Sequence, residues 1–195
     1  MKILAFADHH GSPEDIKVIA KKAKDADIIV CVGDFTIFEH EIEYIMGQMN
    51  KLSKKVLLIH GNHEDEETVE FLSQHFKNVE FIHKKTFEIE DYIFVGFGGG
   101  GFATRDPEFE VWSNEIKKTI KDKKVVLLTH GPPYGTKVDL LGMGYVGNKS
   151  FTKFIKKERP ALVICGHLHE TFNKRDKIGK TLVINPGPEG EIIEV

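Results

Sequence analysis

The sequence predicts an α/β fold, and three observations carry that prediction. Short apolar runs alternate with longer segments whose apolar residues recur at helical spacing, the pattern of parallel βαβ units. Clusters of Gly, Pro, Asn and Asp separate the two kinds of segment. Hydrophobic residues make up 41% of the 195 and charged residues 29%, a globular balance that argues against long disorder. The length suits one sizeable domain, residues 1–195, with no internal repeat or linker to divide it.

Taken in order, Lys2–Ala7 reads as a buried strand. Ser12 caps the helix that follows, with Pro13 at its first position and Ile16, Ile19, Ala20 and Ala23 on one face. Ile28–Val32 is a second strand, and Glu41–Leu52 a second helix carrying Ile42, Ile45, Met46 and Met49. Val56–Ile59 is a third strand, followed by a helix near Glu66–Phe76. Thr86–Glu90 and Tyr92–Phe97 flank Asp91 as a hairpin. A loop opened by Gly98–Gly101 runs to Pro107, before a helix over Glu108–Lys121 and a buried strand at Lys124–Thr129. Residues 131–147 form a long Gly- and Pro-rich loop of the kind that often serves binding. Phe151–Lys157 is a helix and Ala161–Cys165 a strand. The tail reads as short strands with a turn at Asn185–Gly187.

Composition excludes several roles. A net charge of −3 offers no general attraction to nucleic acid or to anionic membrane. No run approaches the ~20 apolar residues of a membrane span. The apolar opening Met1–Ala7 breaks at once into Asp8-His9-His10, too soon for a signal peptide. Cys31 and Cys165 sit inside apolar runs without CxxC spacing, as buried free thiols of a reducing cytoplasm would.

The chemistry gathers at strand ends. The runs end in Asp8-His9-His10-Gly11, Gly33-Asp34, His60-Gly61-Asn62-His63-Glu64, His130-Gly131-Pro132 and Gly166-His167-Leu168-His169. In open α/β sheets ligands collect beyond the carboxyl ends of the strands, so parallel neighbours would bring these clusters to one rim. Imidazole, carboxylate and amide donors suit divalent Mn, Fe, Zn or Ni. An extended backbone would point Asp8 and His10, or His167 and His169, to one side. The donors outnumber the needs of one tetrahedral ion, so two ions are the economical reading.

The blocks Asp8-x-His10, Gly33-Asp34, Gly61-Asn62-His63-Glu64, His130-x-Pro132 and Gly166-His167-x-His169 resemble, in order, the signature of the calcineurin-like metallophosphoesterases. That resemblance implies a four-layer αββα sandwich of two mixed β-sheets flanked by helices. It also implies that Asp8, His10 and His169 hold one metal and Asn62, His130 and His167 the other. Asp34 would bridge both, together with a water or hydroxide. His63 would bind no metal and would face the scissile group as an acid or transition-state stabiliser. Two dications against two carboxylates leave a positive site suited to a phosphate ester, either a small molecule or a nucleotide.

Other polar residues read as packing or surface groups. His9 should point away from the site, His60 should be packed or hydrogen-bonded, and His40, His75 and His83 fall on helical or connecting segments. Phe102, Arg105, Tyr134 and Lys137 lie on the long loops and could contact substrate, but loop residues of these types are more often solvated or packed, so they stay outside the candidate set; the lysines near 117–124 read as an exposed helix face. The glycine run lacks Gly-Lys-Ser/Thr after it, which argues against a P-loop.

Phe35-Thr36-Ile37-Phe38 follows Gly33-Asp34 in place of the Asp-Arg-Gly of related phosphoprotein phosphatases. The resemblance is therefore to the small single-domain members that cleave phosphodiesters or simple phosphomonoesters, and His130-Gly131-Pro132-Pro133 with the Gly-rich loop after it favours the phosphodiesterases among them. A phosphomonoesterase or a short-strand nuclease would use the same donors. A non-catalytic scaffold of the retromer-subunit type is disfavoured because every expected ligand and His63 are present.

Overall fold

The computed structural model describes all 195 residues. The first half runs β1 (Lys2–Phe6), α1 (Pro13–Lys22), a 3-10 turn at Ala23–Asp25, β2 (Ile28–Cys31), α2 (Ile42–Asn50), β3 (Val56–Leu58), α3 (Glu66–Ser73) and β4 (Val79–Phe81). β5 (Lys85–Ile89), β6 (Tyr92–Phe97), α4 (Pro107–Glu115), α5 (Lys117–Ile120) and β7 (Lys124–Thr129) follow. The chain ends with β8 (Leu140–Leu141), β9 (Gly144–Tyr145), α6 (Lys149–Glu158), β10 (Leu162–Ile164), a 3-10 turn at His169–Thr171, β11 (Arg175–Ile178), β12 (Thr181–Ile184) and β13 (Glu191–Glu194).

Local chemistry sets the helix starts. The Ser12 hydroxyl accepts from the Asp15 N–H, and the Asp65 and Asp106 carboxylates accept from the Thr68 and Phe109 N–H groups. Asn148 takes the N–H groups of Ser150 and Phe151. Pro13 and Pro107 occupy first-turn positions, where their missing N–H costs nothing.

One sheet has the order β13-β1-β2-β3-β4, parallel except for β13 on its edge. The other has the order β11-β12-β10-β7-β6-β5, with a parallel centre and antiparallel edges. Alternation along the buried strands then stacks the layers. Ile3, Ala5 and Ala7 enter a core shared with Val126 and Leu128 of β7 and Ile164 of β10. Leu4 and Phe6 turn to the opposite face, against Ile19 of α1 and Ile45, Met46 and Met49 of α2. On the far side, Val95 and Leu127 meet Phe109 and Trp112 of α4 and Phe151, Phe154 and Ile155 of α6. The order is helix, sheet, sheet, helix, the four-layer arrangement expected. Each Leu, Ile or Phe so buried stabilises by roughly 1.5–3 kcal/mol, which is why both faces of the central strands are apolar.

Three details differ from the sequence reading: a strand after α3, a break in the long helix and a hairpin in the long loop. The connection after α3 contains β4, which pairs Val79 with Val56; three residues are too few to display an alternation. The helix expected over Glu108–Lys121 begins at Pro107 and breaks at Ile116 into α4 and α5. The loop at 131–147 carries the small hairpin β8–β9. The turn at Asn185–Gly187 carries the chain from one sheet to the other, and the Gly187 carbonyl accepts from the Ala7 N–H at 3.1 Å.

Candidate functional site

The loops after β1, β2 and β3 of one sheet meet those after β7 and β10 of the other. Three sets of donor atoms converge there, each within 4.8 Å: Asp8, His10 and His169; His10, Asp34 and His63; Asp34, His130 and His167. Asn62 joins the third set, its Oδ1 lying 3.1 Å from His130 Nε2. All eight candidate residues therefore come together.

The backbone achieves this differently from the extended geometry expected. Asp8, His10, Asp34 and His167 all adopt left-handed φ values, between 46° and 71°. Such residues break the pleat, so Asp8 and His10 converge through a tight turn rather than through strand alternation. Strain of order 1 kcal/mol or more per residue persists only where the surroundings over-determine it, as at functional sites. His9, between them, is buried against Phe6, and its Nδ1 accepts from the Gly11 N–H. His60 packs against Phe81 and His83. His83 Nδ1 accepts from the Gly98 N–H, and its Nε2 lies 3.3 Å from Glu66. None of these three belongs to a donor set.

Hydrogen-bond partners fix the imidazole tautomers. His10 Nδ1 meets the Thr36 carbonyl at 2.9 Å, and His130 Nδ1 meets the Val32 carbonyl at 2.8 Å. A carbonyl only accepts, so each Nδ1 carries hydrogen and each neutral ring turns its Nε2 lone pair into the site. His10 Nε2 then faces His169 Nε2 at 3.2 Å. His130 Nε2 faces Asp34 Oδ2 at 3.3 Å, and His167 Nε2 is buried without a partner. Where the His130 Nε2 lone pair faces the Asp34 carboxylate, a positive charge is required between them, whereas His10 and His169 can also share a hydrogen if His169 carries it on Nε2.

Without a cation, that charge is a proton. Burial alone would lower His130 and raise Asp34, but their mutual contact reverses both, raising His130 and lowering Asp34. Burial pushes Asp8 up to about 6, with His130 opposing it. Burial, then the charge of His130, pulls His167 down to about 4, which keeps it a neutral donor. A divalent cation satisfies the same lone pairs, so the donor set fits metal.

A family model described as calcineurin-like phosphoesterase matches residues 1–171. This chain belongs to the calcineurin-like phosphoesterase family. It is accordingly a metal-dependent phosphoric ester hydrolase. The uncharacterized protein MJ1162 of Methanocaldococcus jannaschii is 33% identical over 206 residues, covering 99% of this chain and 91% of that one. TT1561 of Thermus thermophilus shares the fold with a TM-score of 0.78 at 20% identity, over 95% of this chain and 88% of that one. A dimetal phosphatase from Danio rerio shares it with a TM-score of 0.70 at 11% identity, over 94% and 86%.

The sequence reading gives Glu64 no role in this phosphoesterase, yet its carboxylate holds the rim together. Oε2 accepts from the Asp34 and Gly61 N–H groups, and Oε1 from the N–H and hydroxyl of Thr36. Thr36 in turn supplies the carbonyl that fixes His10. The signal available was an acidic residue inside a strand-end block; Gly61 is three residues away, but Asp34 and Thr36 are distant in sequence. Close packing reinforces the arrangement, since a Cβ on Gly61 would lie 2.0 Å from Asp34 Oδ1. In a Glu64→Gln variant, the amide NH2 must face the N–H groups of Asp34 and Gly61 in one orientation and the Thr36 N–H in the other, where only the hydroxyl can turn to accept. Stability should fall by about 3 kcal/mol, read as a lower urea midpoint with an unchanged slope. An unchanged midpoint would show that these four bonds contribute nothing net.

Proposed function

We propose that this phosphoesterase is a phosphodiesterase that works with two divalent cations. Asp8, His10 and His169 would hold one, Asn62, His130 and His167 would hold the other, and Asp34 would be shared by both. The observation that carries this reading is the place of one buried carboxylate, Asp34, which groups with His130 and His167 on one side and, on the other, with His10, itself a member of the Asp8–His169 set. Two cations so held supply the charge that binds phosphoryl oxygens and activates water for in-line displacement.

The chain's own groups do the rest. The Phe38 N–H donates to His63 Nδ1 at 3.4 Å, so the neutral ring carries its proton on Nε2. That Nε2 stands 4.0 Å from Asp34 Oδ2. A departing ester oxygen can take the proton there, which avoids expelling a free alkoxide. Asp34 Oδ1 accepts the N–H groups of Asn62 and His63, which ties the orientation of the acid to that of the carboxylate. Phe35-Thr36-Ile37-Phe38, where protein phosphatases of the superfamily carry Asp-Arg-Gly, supports a small diester over a phosphoprotein.

The expected result is about two metal equivalents per chain, with bis-p-nitrophenyl phosphate cleaved faster than p-nitrophenyl phosphate when Mn is present. Faster monoester cleavage would replace the diesterase reading with a phosphomonoesterase. No tightly held metal and no turnover with any metal would favour a scaffold instead.

A further inference from the structure

Two aromatic rings stand largely in solvent beside the donor sets. Phe38 is 76% exposed and Phe102 is 67% exposed. Of the exposed large apolar side chains, these two touch a site histidine. The Phe38 ring lies 4.3 Å from that of His63 at 31°, and the Phe102 ring lies 4.7 Å from that of His167 at 61°. His63 belongs to the set with His10 and Asp34, and His167 to the set with His130 and Asp34. One ring therefore stands beside each of two donor sets that share a carboxylate.

Neither ring is there for packing. Phe38 holds a left-handed φ of 47°, followed by Glu39 at 64°, a conformation that a bulky residue adopts only under constraint. The turn is fixed because the Glu39 N–H donates to Thr36 Oγ1 and Glu39 Oε1 accepts the Asp65 N–H. The loop carrying Phe102 is anchored on both sides. Before it, the N–H groups of Gly98 and Gly99 donate to His83 Nδ1 and the His60 carbonyl. After it, Asn148 Nδ2 and the Lys149 N–H donate to the carbonyls of Ala103 and Thr104. The fold thus holds two π-faces in water near a phosphate-binding centre. They flank polar donors rather than joining into one apolar patch, which disfavours a protein-docking surface.

We propose that Phe38 and Phe102 are stacking platforms for nucleobases, and that the substrates of this site are phosphodiesters of nucleosides. The proposal rests on the phosphodiesterase reading for its reaction and on the two rings for its specificity. Every base offers a π-face, so stacking selects a nucleoside without choosing its sequence. The net charge of −3 favours short nucleotides over long strands.

The test compares AMP with ribose 5-phosphate, which lacks the base, by titration calorimetry on the Mn-loaded protein. AMP should bind roughly tenfold or more tightly, and adenine absorbance should fall on binding as the base stacks. Phe38→Leu and Phe102→Leu should each reduce the ratio of the two dissociation constants, and the double variant should bring it near one. Equal affinities in the wild type, or a ratio that survives in the double variant, would overturn the platforms. Cleavage of a deoxydinucleotide is measured in parallel. An AMP preference that depends on both rings, without dinucleotide cleavage, would keep the platforms and overturn the diester assignment.

Discussion

Replacing His63 with Ala should lower phosphodiester turnover by roughly two to four orders of magnitude and leave the metal content unchanged. The reason is the position of its proton. The Phe38 N–H occupies Nδ1, so the acidic hydrogen sits on Nε2 and faces the site. The size of the loss should depend on the leaving group. A nucleoside alkoxide needs the proton, whereas p-nitrophenolate leaves well without it, so the variant should lose much less activity on the nitrophenyl diester. Metal analysis separates this role from ligation, because His63 lies within 4.8 Å of His10 and Asp34 donors. Loss of one metal equivalent in His63→Ala would make it a ligand and remove it as the acid.

Asp34→Asn should abolish measurable turnover and leave less than one metal equivalent after gel filtration. Asn keeps the shape and retains an oxygen for the N–H groups of Asn62 and His63. What is lost is the shared negative charge and the acceptor oxygen Oδ2 that faces His130. Asp34→Ala would confuse the question, since it leaves both N–H groups without their acceptor at a cost of about 1–3 kcal/mol each. A folded Asn variant that still carried two equivalents would show that the cations do not depend on Asp34. The bridging assignment would then fail.

Much of this site was legible from residue types and their places after strands. The Asp8–His10, Gly33–Asp34, Gly61–Glu64, His130 and Gly166–His169 blocks each follow an apolar run, and parallel strands put such ends on one rim. The route by which Asp8 and His10 converge was not legible. Strand alternation is a local rule, and it stops where φ turns positive at both residues. β4 has no local signature because its pairing with β3, not its own pattern, makes it a strand. The Gly-rich loop marks Phe102 as a residue that could meet substrate, but nothing near it in the chain indicates that its ring reaches His167, in a loop 65 residues away.

The sequence by itself determined the α/β class, the helix start at Ser12, and the donor chemistry at five strand ends. These depend on side-chain type and short-range spacing. Only the tertiary structure decided that Glu64 gathers four donors around Asp34 and Thr36, that carbonyls of Val32 and Thr36 set the tautomers of His130 and His10, and that two aromatic rings stand beside the donor sets. Most of those relations join residues dozens of positions apart. They exist because two sheets share one core, and no local pattern encodes which atoms then meet across it.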